Sequence, residues 1–254
     1  MLYPGTALRL MLAASLIVSL TAHGASAAQG DGAAAQQRGS AAAEKDLDRH
    51  LSFLARRDSL IKTGGTELIF VGDSITDGWR QNPQHELFDD YFGRYRPYNI
   101  GVSGDETQHV LWRIDHGELD GLAPKLVVLM IGTNNLANAN KMGPDETADG
   151  VAAVVQAIRR KLPGSKILLL GIFPRGNRKD DPLRVAVDAA NTRIAGLADR
   201  KTVFYRDIAA SFLAPDGTLS GEVMPDYLHP NARGYRIWAD TIRPDIDRLV
   251  RGAR

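Results

Sequence analysis

The segment "LIFVGDSITDGW" (residues 68 to 79) runs from an apolar stretch straight into a small turn that carries an acid and a serine, Asp73 and Ser74. A serine hydroxyl becomes a nucleophile when a base takes its proton, a carboxylate orients that base, and N–H donors await the oxyanion. Candidates for each part lie elsewhere in the chain. "PDYLHPNARGY" places Asp226 three residues before His229, a spacing that brings a carboxylate beneath the imidazole within one turn. "NIGVSGDETQHVLW" holds Gly104 in a glycine turn ahead of a helical pattern, with Ser103 and Glu106 at capping-box spacing. "LMIGTNN" ends another apolar run with Asn134, whose side-chain amide can donate beside the backbone N–H groups of Ser74 and Gly104. Each residue also has a plainer reading. Ser74 can be a helix N-cap, Asp226 a turn residue with His229 capping the helix that Pro230 opens, Gly104 a tight turn, and Asn134 a strand-end cap. What favours chemistry is that four such turns recur in one chain.

Positioning them requires a frame. Short apolar runs at 68–71, 98–102, 126–131, 166–172 and 203–208 alternate with helical patterns such as "HVLWRI", "GVAAVVQAIRRKL" and "VAVDAANTRIAGLA". Runs that are apolar at nearly every position predict strands buried on both faces, and the alternation predicts a parallel sheet of βαβ units in a three-layer α/β domain. Functional residues in such sheets collect at the carboxyl ends of the strands, where these glycine turns fall. Leu47, Leu51, Leu54, Leu60 and Ile61 predict a helix within 44–62 ahead of the first strand.

Composition narrows the classes. Arg9, the apolar run "LMLAASLIVSLTA" and "ASA" at 25–27 have the order of a signal peptide, so residues 1–27 are expected to be removed and the protein to be secreted or periplasmic. That run is shorter than the ~20 apolar residues of a spanning helix, so no stable membrane insertion is expected. Residues 28–43, rich in Ala, Gly and Gln, read as a flexible lead-in, and 44–254 as one domain. There is no cysteine, which excludes a thiol nucleophile, a thiolate metal site, a disulfide and lipoprotein attachment. Arg9 is the single charged residue in 1–27, so the remainder balances its 30 acidic side chains with as many basic ones. Without a basic run, a nucleic-acid partner has no electrostatic support. His109 and His116 lack the further ligands a metal would need and, with His50 and His85, read as structural or surface residues. Arg175, in "FPRGNRKDDP", lies on a loop after the fourth strand where it could line the crevice, but reads rather as part of a solvated basic loop.

The set Ser74, Gly104, Asn134 and His229, in the contexts GDS, GVSGDETQHVLWR, GTNN and DYLHP, resembles the SGNH or GDSL-type hydrolase superfamily. Within it the chain looks most like the catalytic subunits of Ib-type platelet-activating factor acetylhydrolases. "FVGDS", "GDETQHVLWRI", "GELDGLAPKLVVLMIGTNN", "GIFPRG" and "DPLR" follow that family's order across about 66–250. The resemblance implies a flavodoxin-like sheet, Ser74 as nucleophile, His229 as base, Asp226 as its orienting acid, and an oxyanion hole from Ser74, Gly104 and Asn134. It also implies an acyl pocket closed by Ile75, Thr133 and Leu228, and it calls for neither cofactor nor metal. The turn here reads GDSI rather than GDSL. Dimers occur in the resembled family, and no surface in the sequence fixes the oligomeric state.

The activity so implied is hydrolysis of short acyl esters, acetyl first, on an O-acetylated glycan or small acetyl ester. A lipase or lysophospholipase and an acyltransferase use the same triad. A catalytically idle binding module would not need all five residues, and a nucleotide-binding reading lacks a phosphate loop. The leader reading carries its own test: intact mass of the protein recovered outside the cytoplasm should correspond to a chain beginning at Ala28. A soluble chain that retains Met1 contradicts it.

Overall fold

The five apolar runs form five strands, β1 (Leu68–Gly72), β2 (Tyr98–Asn99), β3 (Leu126–Met130), β4 (Lys166–Leu170) and β5 (Val203–Arg206), in a computed structural model that describes residues 38–138 and 142–252. The expected signal peptide lies outside the described residues. All pairings are parallel, in the order β2-β1-β3-β4-β5. Eight α-helices are described: α1 (Leu47–Lys62), α2 (Ser74–Asp77), α3 (Gln84–Phe92), α4 (Thr107–Asp115), α5 (Thr133–Ala137), α6 (Pro144–Lys161), α7 (Pro182–Ala195) and α8 (Ala232–Arg251).

The central strands β1, β3 and, after Lys166, β4 are apolar and buried because helices cover both faces of the sheet, whereas the edge strands β2 and β5 carry Asn99 and Arg206. Alternate side chains therefore enter two separate cores. Ile69, Val71, Val127 and Leu129 join α1, α4, α6 and α7. Leu68, Phe70, Val128 and Met130 join Trp79, α3 and α8 on the other face. There α8 presents Tyr235, Trp238, Ile242, Ile246 and Leu249, at the three-to-four-residue spacing of one helix face. Tyr235 and Trp238 meet Trp79 edge-on and tilted, with ring centroids 4.5 and 5.1 Å away.

The sheet reverses its direction of winding between β1 and β3, since the chain leaves β1 for β2 on one side and reaches β4 and β5 on the other. Such a switch point opens a crevice beyond the carboxyl ends of the two strands. The register sets Gly72 opposite Met130, so the segments following β1 and β3 emerge side by side. The run at 98–102 forms a strand over two residues only. It still tracks β1, with Ile100 N–H donating to Phe70 O at 2.9 Å and Val102 N–H to Gly72 O at 3.2 Å. That path carries residues 101–103 to the same crevice. Gly101 makes it passable, because a side chain there would overlap the backbone of α2 at Thr76 and Asp77.

Gly72 is equally constrained: a Cβ would overlap both Thr76 Oγ1 and the Met130 carbonyl of the neighbouring strand. The strand backbone has little room to yield. Gly72→Ala should therefore cost about 1–3 kcal/mol of stability, the usual range for overpacking. Chemical denaturation should show a lower midpoint with an unchanged slope.

Candidate active site

The turn after β1 ends in Asp73, whose carboxylate accepts the Ile75 N–H at 2.9 Å and so caps α2. Asp73 takes the capping role that Ser74 could have had. Ser74 is the first residue of α2, and its Oγ stands 2.9 Å from His229 Nε2. His229 Nδ1 lies 2.6 Å from Asp226 Oδ2. The other oxygen of Asp226 accepts the backbone N–H groups of Leu228 (3.1 Å) and His229 (2.7 Å). Partial burial pushes the Asp226 carboxyl up, but the bonds from the His229 ring and backbone outweigh this and hold it below its ordinary value. An ionised Asp226 accepts, so Nδ1 carries the proton and Nε2 is the acceptor for the Ser74 hydroxyl. His229 does not cap α8. Asn231 does, accepting from Arg233 and Gly234, which leaves the imidazole to Ser74.

Gly104, at φ +75°, sits in a turn closed by Asp105 N–H donating to Val102 O at 3.1 Å. Asn134 Nδ2 donates to Asp105 O at 2.9 Å, which fastens the expected donor of α5 to the expected donor turn. One N–H of the amide remains for a ligand. The backbone N–H groups of Ser74 and Gly104 meet no acceptor among the described residues. Behind the turn Asp105 is fully buried, its carboxylate held by Arg113 and by Lys45 Nζ at 3.1 Å. Arg113 is buried as well and also binds Glu118, at 3.2 Å, and Ile100 O, at 3.1 Å. Burial alone would lower the guanidinium's pKa, but Glu118 and Asp105 hold it charged, above its ordinary value. The capping box expected between Ser103 and Glu106 forms instead between Glu106 and His109, while Ser103 Oγ donates to Asp77 Oδ2 at 2.9 Å.

Of the expected pocket residues, Ile75 and Thr133 are buried, and Leu228 packs partly buried against the α8-side core. Arg175 departs from its expected place in a solvated loop. Half-buried, it donates to Thr133 O (3.3 Å) and Thr133 Oγ1 (3.2 Å). Its pKa is lowered by loss of water, although the carboxylates of Asp73 and Asp226 face it. A second arginine, the buried Arg184 of α7, donates to the carbonyls of Arg175 (3.1 Å) and Gly176 (2.6 Å). Gly176 N–H then donates to Tyr227 O at 3.0 Å, so the loop after β4 braces the loop that carries His229. Sequence reading passed over Arg184, Arg113, Asp105 and Lys45. The one available signal was a charged residue on an otherwise apolar helix face, as at Arg113 in "HVLWRI".

A cavity of about 260 Å³ adjoins Ser74 and His229, lined further by Gln81, Gln84, Ser103 and Tyr235. A larger one, about 910 Å³, opens between α1 and α3 beside β2, but neither Ser74 nor His229 lines it. The smaller cavity is the one the hydroxyl can serve. Among the described residues, no group of three or more His, Cys, Asp or Glu side chains is placed to hold a metal ion.

Asp73 itself is fully buried, and its Oδ2 has no hydrogen-bond partner among the described residues. Loss of water, against the pull of the Ile75 N–H, raises its pKa from 3.8 to about 7. A raised acid pKa contributes stability that is complete below the unfolded value and is lost as pH rises through the folded one. Asp73→Asn keeps an acceptor for Ile75 and cannot ionise. Its stability relative to the parent should therefore rise between about pH 4 and pH 7 and level off above, by roughly 4 kcal/mol at most. Denaturation at a series of pH values reads this directly.

Comparison with known proteins identifies the family and the fold. Residues 70–237 match the model of the GDSL-like Lipase/Acylhydrolase family. Platelet-activating factor acetylhydrolase IB subunit alpha1 of Bos taurus is 35% identical over 170 residues, which cover 66% of this chain and 70% of that protein. The alpha2 subunit of Rattus norvegicus is 37% identical over 170 residues, 66% of this chain and 71% of that one. Among solved structures, a GDSL-like lipase from Bacteroides thetaiotaomicron superposes with a TM-score of 0.65 at 21% identity, covering 78% of this chain and 97% of the other. An acetylxylan esterase from Geobacillus stearothermophilus does so with 0.56 at 21% identity, covering 75% and 98%. The two structures share the fold, and the family match at 70–237 spans the segments that bear Ser74, Gly104, Asn134 and His229. The chain belongs to the GDSL-like lipase/acylhydrolase family, with the SGNH-hydrolase fold, and is a carboxylic ester hydrolase.

Proposed function

We propose that the protein hydrolyses short-chain esters, acetyl esters first, through Ser74, His229 and Asp226. The observation that carries the proposal is the unbroken chain from Ser74 Oγ to His229 Nε2 (2.9 Å) and from His229 Nδ1 to Asp226 Oδ2 (2.6 Å) at the crevice of the sheet. Ser74 Oγ attacks the ester carbonyl as its proton passes to Nε2, and Asp226 stabilises the imidazolium. The oxyanion is received by the N–H groups of Ser74 and Gly104 and by the free N–H of Asn134. The imidazolium then protonates the leaving alcohol, and the acyl group remains on Ser74. Water, deprotonated by the same nitrogen, attacks that acyl group and releases the carboxylate.

Acetyl is favoured because the resemblance to the acetylhydrolases implies an acyl pocket closed by Ile75, Thr133 and Leu228, of which Ile75 and Thr133 are buried and Leu228 is partly buried. A pocket fitted to one methyl must shift the carbonyl to admit more carbon, and a shifted carbonyl leaves its donors badly aimed. For the alcohol side, an O-acetylated glycan or small acetyl ester suits the uncharged polar lining of Gln81, Gln84 and Ser103. The presence of an acetylhydrolase and an acetylxylan esterase among the similar proteins supports the acetyl part of the reading. Export, suggested by Arg9 and the apolar run after it, would place such an enzyme where glycans are met.

Ser74→Ala and His229→Ala should each abolish most esterase activity, and Asn134→Ala should lower kcat by roughly a hundredfold or more. In a p-nitrophenyl ester series, kcat/KM should fall more than tenfold from acetyl to butyryl, at ~1 to 3 kcal/mol per methylene. Release of acetate from acetylated xylan tests the glycan arm. Octanoyl turned over as well as acetyl would move the assignment to a lipase or lysophospholipase, and acyl transfer to an added alcohol in preference to water would make it an acyltransferase.

A further inference from the structure

We infer that Lys45 is a positioning residue that locks the Ser103–Gly104 peptide in the orientation presenting Gly104 N–H to the crevice; this rests on the oxyanion role proposed for Gly104. Lys45 Nζ donates to Ser103 O at 2.6 Å and to Asp105 Oδ1 at 3.1 Å. Ser103 O and Gly104 N–H are the two ends of one planar trans peptide, so they point in opposite directions. Gripping the oxygen from outside therefore aims the hydrogen inward.

The turn needs such a grip. It runs from Val102 to Asp105, closed by the Asp105 N–H to Val102 O bond, with Gly104 third at φ +75°. That is the type II arrangement, and a type I turn joins the same ends with its central peptide reversed. Glycine adopts either sign of φ at little cost, so Gly104 offers no resistance to the reversal. Reversal would turn the Ser103 carbonyl toward the oxyanion position and remove one donor. The Lys45 bond exists in one orientation only. A Cβ built on Gly104 would sit 3.2 Å from Nζ, which places the ammonium against this peptide.

Lys45 is itself held. The preceding segment crosses α4 and α6: Arg38 pairs with Glu146 at 3.0 Å, Thr107 Oγ1 donates to Gly39 O at 2.6 Å, and Ala43 N–H donates to Gln108 O at 3.0 Å. Gly150 admits the crossing, since a side chain there would overlap Thr107 and crowd Gly39 O. Asp46 then caps α1 by accepting from Arg49 N–H. Lys45 lies between these two anchors, outside the 70–237 segment that matches the family.

The test compares the parent with Lys45→Met and Lys45→Arg, reading kcat, KM and melting temperature with p-nitrophenyl acetate and the peptide orientation by crystallography. Lys45→Met should lower kcat tenfold or more, leave KM within twofold and the melting temperature within a few degrees, and show the 103–104 peptide reversed or in two orientations. Lys45→Arg, which can still donate to Ser103 O, should recover most of kcat. A kcat for Lys45→Met within twofold of the parent overturns the inference, as does a loss with the peptide unmoved or one that Arg does not repair. If the parent itself fails to turn over acetyl esters, the proposed function fails instead, and the peptide orientation in the variant still decides the role of Lys45.

Discussion

A carboxylate removed from water has to find cations or donors, and much of the site's geometry depends on how Asp105 finds them. It sits fully buried with Arg113 of α4 on one oxygen and Lys45 on the other, while its own carbonyl receives Asn134. Through its carboxylate Asp105 ties the turn after β2 to the helix that follows it and to Lys45, and through its carbonyl to the segment after β3. Stripping water from such a cluster costs several kcal/mol per ion, which pairing largely offsets, so its contribution to net stability is small. Its effect is to permit one arrangement and penalise others. Donors fixed in this way need no reorganisation when negative charge develops in front of them.

The two halves of the site are built differently. Ser74 and Asn134 follow the ends of adjacent strands, and their separation is set by the Gly72–Met130 register of the sheet. His229 and Asp226 ride on a loop whose side chains remain 42% and 55% exposed. This loop is steadied by Tyr227 O on Gly176 N–H and, behind it, by the buried Arg184. Exposure on that side suits the base of the proposed mechanism, which meets both a leaving alcohol and a water molecule. Burial on the other side suits donors that have to stay aimed.

Arg175 connects the halves. Its guanidinium reaches Thr133, next to Asn134, while its carbonyl is held by the same Arg184 that steadies the base loop. Displacement of the loop after β4 would thus be felt at Thr133 and at the loop that carries His229 together. Coupling through a shared rigid element of this kind needs no direct contact between the groups it links.

Five apolar runs separated by helical patterns were enough to determine a parallel three-layer sheet, because a strand buried on both faces has to be apolar at every position. The Asp226–His229 dyad was legible for a similar reason: three residues in one turn keep a carboxylate and an imidazole within reach whatever surrounds them. Local spacing also left real ambiguity, as at residues 103–109, where the capping box forms three residues later than expected and Ser103 is drawn to Asp77. What only the tertiary structure decided are the partners distant in sequence. Ser74 and His229 are 155 residues apart, and Lys45 reaches Asp105 across 60. Neither contact leaves a periodic trace, since a single side chain meeting a distant loop imposes no pattern on its neighbours. Arg175 looked solvated for the same reason: "FPRGNRKDDP" is polar locally, and its desolvation comes from Thr133 and from loops that the chain order does not place beside it.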